Sequence, residues 1–363
     1  MSYTNTVMIA VFFGGRSCEH DISIITGLQA ISACTQKCAG VYIDERGEWW
    51  TGEFDSVNAV KNKRFKGKSV HIRPSEPYLY CKNKRLFKID AALLCMHGIL
   101  GEDGALQGLL AMCGVPYTGS DTLASALGMN KLYSKRMFEA AGLSVLPYKA
   151  LTRAEYERDQ NAALKSLVDT LGYPIIVKPC NLGSSIGISL ANDDSSLATA
   201  LHVAFEWDDT IIAEKALEDF TEVNCAVLGD GGEVTVSDTE QPVGWKSFLT
   251  FADKYSGDVK ATRHNIPAEV GSEINARVSE LAVRAFDAIG ASGVARVDFL
   301  IKGDDIFVNE INTIPGSLSC ALFRRDMEFS RLIDRLIDYA KRRQARFDKL
   351  KRLYTPTEPI IGK

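Results

Sequence analysis

The sequence is short of most features that mark a specialised protein. Nothing in its 363 residues repeats and no tract is of low complexity. The apolar stretch Val7–Phe13 is too short to span a bilayer and runs straight into Gly14-Gly15. Neither sign of charge is in surplus: Lys+Arg 42 against Asp+Glu 46 leaves a formal charge of -4. That balance offers no basic footprint for nucleic acid or an anionic membrane, so neither is expected as a partner. There is no disulfide framework, because the nine cysteines are odd in number and dispersed. Cys34 and Cys38 are the closest pair and have no second pair to complete a zinc site, so thiols in a reducing compartment are expected. No basic start with a small-residue cleavage pattern is visible, and a soluble cytoplasmic protein is the expectation. What remains is ordinary globular composition, 46% hydrophobic and 24% charged, at a length suited to two or three domains.

The chain opens with a strand, a glycine turn and a helix. Val7–Phe13 is apolar, β-branched and aromatic, as a buried strand requires, and Ser23–Ala33 follows as a helix. A second strand, Ile89–Cys95, leads through Gly101-Glu102-Asp103-Gly104 into a helix over Ala105–Met112. The first ~120 residues therefore read as a small doubly wound α/β unit. Between its halves the basic segment Lys61–Lys88 reads as a solvated, irregular hairpin region. A second unit begins near Thr122, with a helix at Leu132–Ala140, a strand at Pro174–Pro179 and a Gly/Ser loop after it. The remainder is a larger α/β unit, with an amphipathic helix over Glu273–Ile289 and an antiparallel hairpin of Val294–Ile301 and Ile306–Ile311. Beyond the last patterned helix, Leu332–Tyr339, a basic tail reads as a solvated helix extension, with a partner or oligomer contact as the second reading.

Two groups of residues can carry chemistry. In the hairpin, Asp298 sits on one strand and Glu310 and Asn312 sit two apart on the next, so their side chains share one face. Acids at strand ends can simply terminate strands, but these put polar groups on one face of an otherwise apolar strand. Two carboxylates and an amide oxygen suit Mg²⁺ held against phosphate. The second group is Lys178, which ends a strand just before Gly183-Ser184-Ser185-Ile186-Gly187. Glycines let a loop approach phosphate closely, and the lysine adds a point charge. The P-loop order of glycines and lysine is absent, as is a dinucleotide fingerprint. A lysine strand, a glycine loop and a distant acidic hairpin together point to a nucleotide-dependent phosphoryl enzyme.

At this point the sequence resembles the D-alanine–D-alanine ligase family of the ATP-grasp superfamily, including relatives that join D-alanine to another D-amino acid. The likeness rests on Phe13–Ser23, His97-Gly98 with Gly101–Gly108, Tyr117–Ser120, Lys178-Pro179 with Gly183–Gly187, Asp253–Tyr255, Arg296–Phe299 and Asn309–Gly316, in family order. The resemblance implies an α/β multidomain chain: an N-terminal doubly wound pre-ATP-grasp domain over 1–121, a central ATP-grasp subdomain over 122–215 and a C-terminal one over 216–363. It also implies ATP-dependent joining of two D-alanines through an acylphosphate for peptidoglycan precursors, in a cytoplasmic homodimer. The cofactors implied are ATP and two Mg²⁺ ions, with Mn²⁺ as a substitute. A D-Ala–D-Ser ligase is the same-class alternative, and a nucleotide-binding regulatory protein without ligase activity the alternative from another class.

The resemblance assigns roles residue by residue. Lys131 and Lys178, with Gly183, Ser184, Ser185 and Gly187, match groups around the ATP phosphates; Glu214 and Leu217 match the adenine site and Glu222 the ribose acid. Asp298, Glu310 and Asn312 match the magnesium ligands. Arg296 and the backbone of Gly316 match the oxyanion donors. Glu19, Ser184 and Tyr255 match a hydrogen-bonded trio around the first substrate, with Lys254 and Tyr255 on a closing loop and His97 lining the site. Ser317, Ser319 and Leu322 fall where the second substrate is held. The chain departs from the pattern at Asn130, where aspartate is usual, and at Ala321, where a serine hydroxyl helps bind the acceptor carboxylate. The intact Lys254-Tyr255 pair favours an amine acceptor over a hydroxy acid.

Overall fold

The structure is a computed structural model describing residues 6–243 and 263–351, and among these the strands form three sheets. The first contains β1 (Val7–Gly14), β2 (Cys38–Ile43), β3 (Trp49–Glu53), β4 (Lys66–Ser69), β5 (His71–Arg73), β6 (Glu76–Cys81) and β7 (Lys84–Leu94), in the order β4-β3-β2-β1-β7-β6-β5. From Ile9 onward every residue of β1 is buried, which is why this strand is apolar on both faces. β2 and β7 lie parallel on either side of it, the doubly wound centre expected from the sequence. The outer strands are antiparallel. The basic segment expected to be irregular is thus sheet: Arg73 and Arg85 lie 4.3 Å from the ring centres of Tyr80 and Tyr78. Short edge strands carry lysine on their solvent side, and that charge hides their alternation.

The second sheet holds β8 (Tyr148–Thr152), β9 (Ile175–Pro179), β10 (Ser189–Ala191) and β11 (Thr210–Lys215), in the order β10-β9-β11-β8. Helices Gln160–Leu171 and Asp194–Phe205 cover one face, packing Leu167, Leu197, Leu201 and Phe205 on Ile175, Val177, Ile211 and Ala213. Strand alternation sends the intervening Lys178 and Glu214 to the opposite face.

The third sheet holds β12 (Thr221–Gly229), β13 (Val234–Val243), β14 (Arg263–Asn265), β15 (Gly293–Lys302) and β16 (Asp305–Asn312), in the order β14-β13-β12-β15-β16. Helix Ser272–Ala288 packs Val278, Ala282 and Phe286 against Val223, Cys225, Val227, Val297 and Phe299, leaving Arg296 and Asp298 on the other face. Phe138 and Leu143 join this core, so helix Lys131–Ala140 rests on the third sheet although it precedes β8 in the chain.

The N-terminal core does not stop at the first sheet. It includes Leu228, Val294, Ile314, Leu318, Leu322, Leu332, Leu336 and Ile337 from the C-terminal third of the chain. Helix Phe329–Asp348 lies across this shared core, and its basic end extends the helix and is largely exposed, as expected, while several of its cations also reach partners on the body of the protein. Lys341 pairs with Asp90, and Arg342 and Arg346 reach Asp230 at 3.2 and 3.5 Å. Arg343 lies 4.3 Å from the ring centre of Tyr117 and donates to the carbonyls of Tyr117 and Gly119, both at 2.6 Å. Between Tyr339 and Arg352 the tail has one acid of its own, Asp348, and Lys341, Arg342 and Arg346 pair with the distant Asp90 and Asp230. Arg343→Ala removes two charge-assisted hydrogen bonds, and urea unfolding should show a loss of about 2–4 kcal/mol. A loss below about 0.5 kcal/mol would show that this clasp holds nothing.

Candidate active site

The lysine side of the site begins at a helix start. Asn130 caps helix Lys131–Ala140, accepting from the Tyr133 N–H at 3.1 Å and donating to Asn181 Oδ1 at 2.8 Å. Lys131 and Lys135, one turn apart, then lie on one helix face. Lys135 and Glu214 are each about 1% exposed at the side chain and stand 3.2 Å apart. Lys178 Nζ approaches the other Glu214 oxygen at 2.8 Å and Asn309 Oδ1, on the third sheet, at 3.3 Å. Burial pushes the Glu214 carboxyl up, but the two ammonium groups outweigh it and hold it below the usual range. Lys131 donates to the Leu182 carbonyl and faces Glu310 at 3.4 Å. Sequence reasoning missed Lys135 and Asn309. The i,i+4 spacing of Lys131 and Lys135 was the available signal for the first.

The acid side is the β15–β16 hairpin. Asp298 lies opposite Glu310 in register and Arg296 opposite Asn312. The register slips between Asp298 and Phe299, and Asn309 is the extra residue on β16. A period-2 count cannot see this irregularity. Arg296 forks onto Asp298 at 2.6 and 2.7 Å, and the Asn312 amide donates to the same carboxylate at 3.1 Å. Among the described residues no group of three or more His, Cys, Asp or Glu is gathered for a metal. The hard-oxygen set of Asp298, Glu310 and Asn312 fits a Mg²⁺ ion that takes its other oxygens from phosphates and water.

The N-terminal unit closes the site. Ser184 Oγ donates to Glu19 Oε1 across 165 residues. A Cβ on Gly98 or Gly183 would lie 2.8 or 2.9 Å from Glu19 Oε2, so only glycine lets both backbones flank this carboxylate. Ser184 and Ser185 themselves adopt left-handed backbone, φ 52° and 58°, as does Gly187. Together Glu19, Glu102, Lys131, Gly183, Glu310 and Asn312 line one narrow cavity between the three units. Tyr255 and Lys254 lie outside the described residues.

His97 is 4% exposed, and both ring nitrogens are engaged. The Ile314 carbonyl, 2.8 Å from Nδ1, requires a donor there. Thr26 Oγ1 accepts the Ser317 N–H at 3.1 Å and so turns its own proton to Nε2, 2.8 Å away. Glu102 grips the same loop, accepting from the Ile314 N–H at 2.9 Å and the Gly98 N–H at 3.1 Å. His97, expected to line the site, anchors the loop that presents Gly316. Burial lowers His97 to about 4, while burial and the nearby Glu19 raise Glu102 to about 8. Glu102 was not foreseen as a site residue.

The remaining expected residues take these positions. Leu322 is 3% exposed and packs in the N-terminal core. Ser317 Oγ donates to Gln29 at 2.7 Å, and Ser319 is buried. Leu217 sits in the connection after β11, and Glu222 is exposed at the start of β12. Gly316 begins the 3₁₀ turn Gly316–Ser319. The side chain of Glu214 is turned to the two lysines.

Two antiparallel sheets that set lysines against a carboxylate hairpin define an ATP-grasp enzyme. Residues 8–120 match the profile of the D-ala D-ala ligase N-terminus and residues 137–338 that of the D-ala D-ala ligase C-terminus. The D-alanine–D-alanine ligase of Chloroherpeton thalassium is 36% identical over 93% of this chain and 97% of its own length. The enzyme of that name from Bacillus cytotoxicus is 35% identical over 95% and 98%. Among solved structures, the D-alanine–D-alanine ligase of Coxiella burnetii superposes with a TM-score of 0.80 at 25% identity, covering 95% of this chain and 96% of its own. A D-Ala:D-Ser ligase from Enterococcus faecalis gives 0.77 at 29%, covering 94% and 100%. This chain belongs to the D-alanine–D-alanine ligase family.

The His97 anchor has a pH signature. Its folded value of about 4 lies below the unfolded value of about 6.5, so between them only the unfolded chain takes up the proton. Stability from this residue therefore rises with pH through that window and is complete above it. The stability difference between wild type and His97→Gln should grow by about 3 kcal/mol from pH 4 to pH 7, read by denaturant unfolding. A difference that stays flat would contradict the neutral anchor.

Proposed function

We propose that this protein joins two D-alanines in an ATP-dependent reaction for peptidoglycan precursors, acting in the cytoplasm. The observation that carries the reading is the meeting of ammonium groups with oxygen donors across the cleft, Lys131 paired with the Glu310 carboxylate at 3.4 Å and Lys178 donating to the Asn309 amide oxygen at 3.3 Å. Triphosphate entering there meets cations from one wall and hard oxygen donors from the other. Glu19 holds the ammonium of the first D-alanine, and its hydrogen bond to Ser184 ties that subsite to the glycine loop. The D-alanine carboxylate attacks the γ-phosphorus, its new O–P bond replacing the bond to ADP. The amine of the second D-alanine then attacks the acylphosphate carbonyl, loses a proton and expels phosphate. Arg296 and the Gly316 N–H offset the oxyanion, and the fork on Asp298 holds the guanidinium plane still. Asp298, Glu310 and Asn312 would hold Mg²⁺ or Mn²⁺, which neutralises phosphate charge when bound.

The proposed boundaries are 1–121, 122–215 and 216–363. A homodimer is proposed as well, and the exposed Leu109, Met112 and Leu123 offer apolar surface for it. Among the described residues no helix is long and apolar enough to cross a membrane.

Phosphate release over a matrix of D- and L-amino acids, with product masses, should be greatest for D-alanine alone. Preference for D-alanine plus D-serine would replace the acceptor, and no release with any pair would sink the ligase reading. Arg296→Ala should lower kcat by about 10²–10³-fold and leave ATP affinity within a few-fold. Equal losses in both would contradict an oxyanion role.

A further inference from the structure

Glu214 poses a problem that the proposed reaction must solve. When Lys178 turns toward a nucleotide phosphate, its 2.8 Å contact with Glu214 loosens. Glu214 is about 1% exposed, so bulk water cannot take over when that ammonium turns away. A buried carboxylate left without a counter-ion is strongly unfavourable, and it would pull Lys178 back. The second cation is Lys135, 3.2 Å from the other carboxylate oxygen and itself about 1% exposed. Its helix is fixed by the Asn130 cap and by Phe138 in the core of the third sheet. Lys135 is thus held too deep to follow Lys178 into the cleft, and it is placed to stay behind. Asn309, at 3.3 Å on the opposite wall, marks the direction in which the Lys178 ammonium already leans.

We propose that Lys135 is a positioning residue for phosphoryl transfer, remaining on Glu214 when Lys178 turns to the phosphates so that the buried acid keeps a counter-ion. The proposal rests on the nucleotide reading of this cleft. Lys135 acts through Glu214 and touches neither substrate. Its charge matters only while Glu214 is charged, and that dependence separates this role from simple packing.

Binding of the non-hydrolysable analogue AMP-PNP with Mg²⁺ to the full-length enzyme tests it, alongside steady-state kinetics. Lys135→Met should weaken AMP-PNP binding at least tenfold and raise KM for ATP in parallel, with KM for D-alanine changed less than threefold. Lys135→Arg, which keeps the charge, should bind within threefold of wild type. Adding Glu214→Gln to Lys135→Met removes the acid that holds Lys178 and should bring binding back to within threefold of the Glu214→Gln single variant. Unchanged AMP-PNP binding in Lys135→Met, or no recovery in the double variant, would overturn the role of Lys135. If circular dichroism shows that Lys135→Met does not fold, the double variant decides against the Glu214→Gln single variant: binding within threefold of it supports the role, and weaker binding overturns it. Wild-type protein that fails to bind AMP-PNP would sink the nucleotide reading and this proposal with it, a result distinct from any variant difference.

Discussion

One residue's backbone carries much of the architecture. The N–H of Ile314 goes to Glu102 and its carbonyl to His97, both in the N-terminal unit, while Ile314 itself stands two residues beyond the end of β16. Two residues later comes Gly316, and at Ser317 the N–H is taken by Thr26. A loop would ordinarily adjust its backbone to solvent, but this one is gripped at three points by side chains from another part of the chain. Buried backbone groups must be paired, so the grip fixes both the loop and the seat of the first sheet on the third. His97 and Glu102 match the job, one giving a proton to a carbonyl and one accepting from an N–H.

Charge is arranged in two depths. At the bottom, Glu214 is enclosed by Lys135 and Lys178, where water does not reach. Nearer the cleft, Lys131 faces Glu310 and Arg296 forks onto Asp298. The net charge of -4 says nothing of this, because each cation is cancelled within a few ångströms by an acid, from a distant segment for the lysines and from two residues away for Arg296. Ion pairs of this kind contribute less to folding than to placement. They keep acids and bases apart by fixed distances in a space too dry to let them move at will.

Much of this was legible in the residues. The β15–β16 hairpin and its Asp298, Glu310 and Asn312 face follow from alternation alone, and the helix over Ala105–Met112 matches its expected bounds. Legibility failed where partners are remote. The pairing of Arg343 with Tyr117 spans more than 220 residues, and no local pattern encodes it. Lys135 looked like an ordinary helix lysine because burial of a charge depends on what covers it. Asn309 escaped because one inserted residue breaks the count on which face assignment rests. His97 was placed near the site by resemblance, but its role depends on hydrogen bonds that only the fold brings together.

The core shared between the first sheet and the C-terminal third of the chain has a mechanical meaning. With apolar contacts, the Ile314 backbone and the arginine clasp all joining those two parts, they behave as one frame. The second sheet has its own core and is joined to that frame by chain at 144–147 and 216–220, by the small apolar cluster of Leu132, Cys180 and Ile212, and by polar contacts such as Ser184 on Glu19. The two walls of the cleft are therefore held together chiefly by ion pairs and hydrogen bonds rather than by a large shared core.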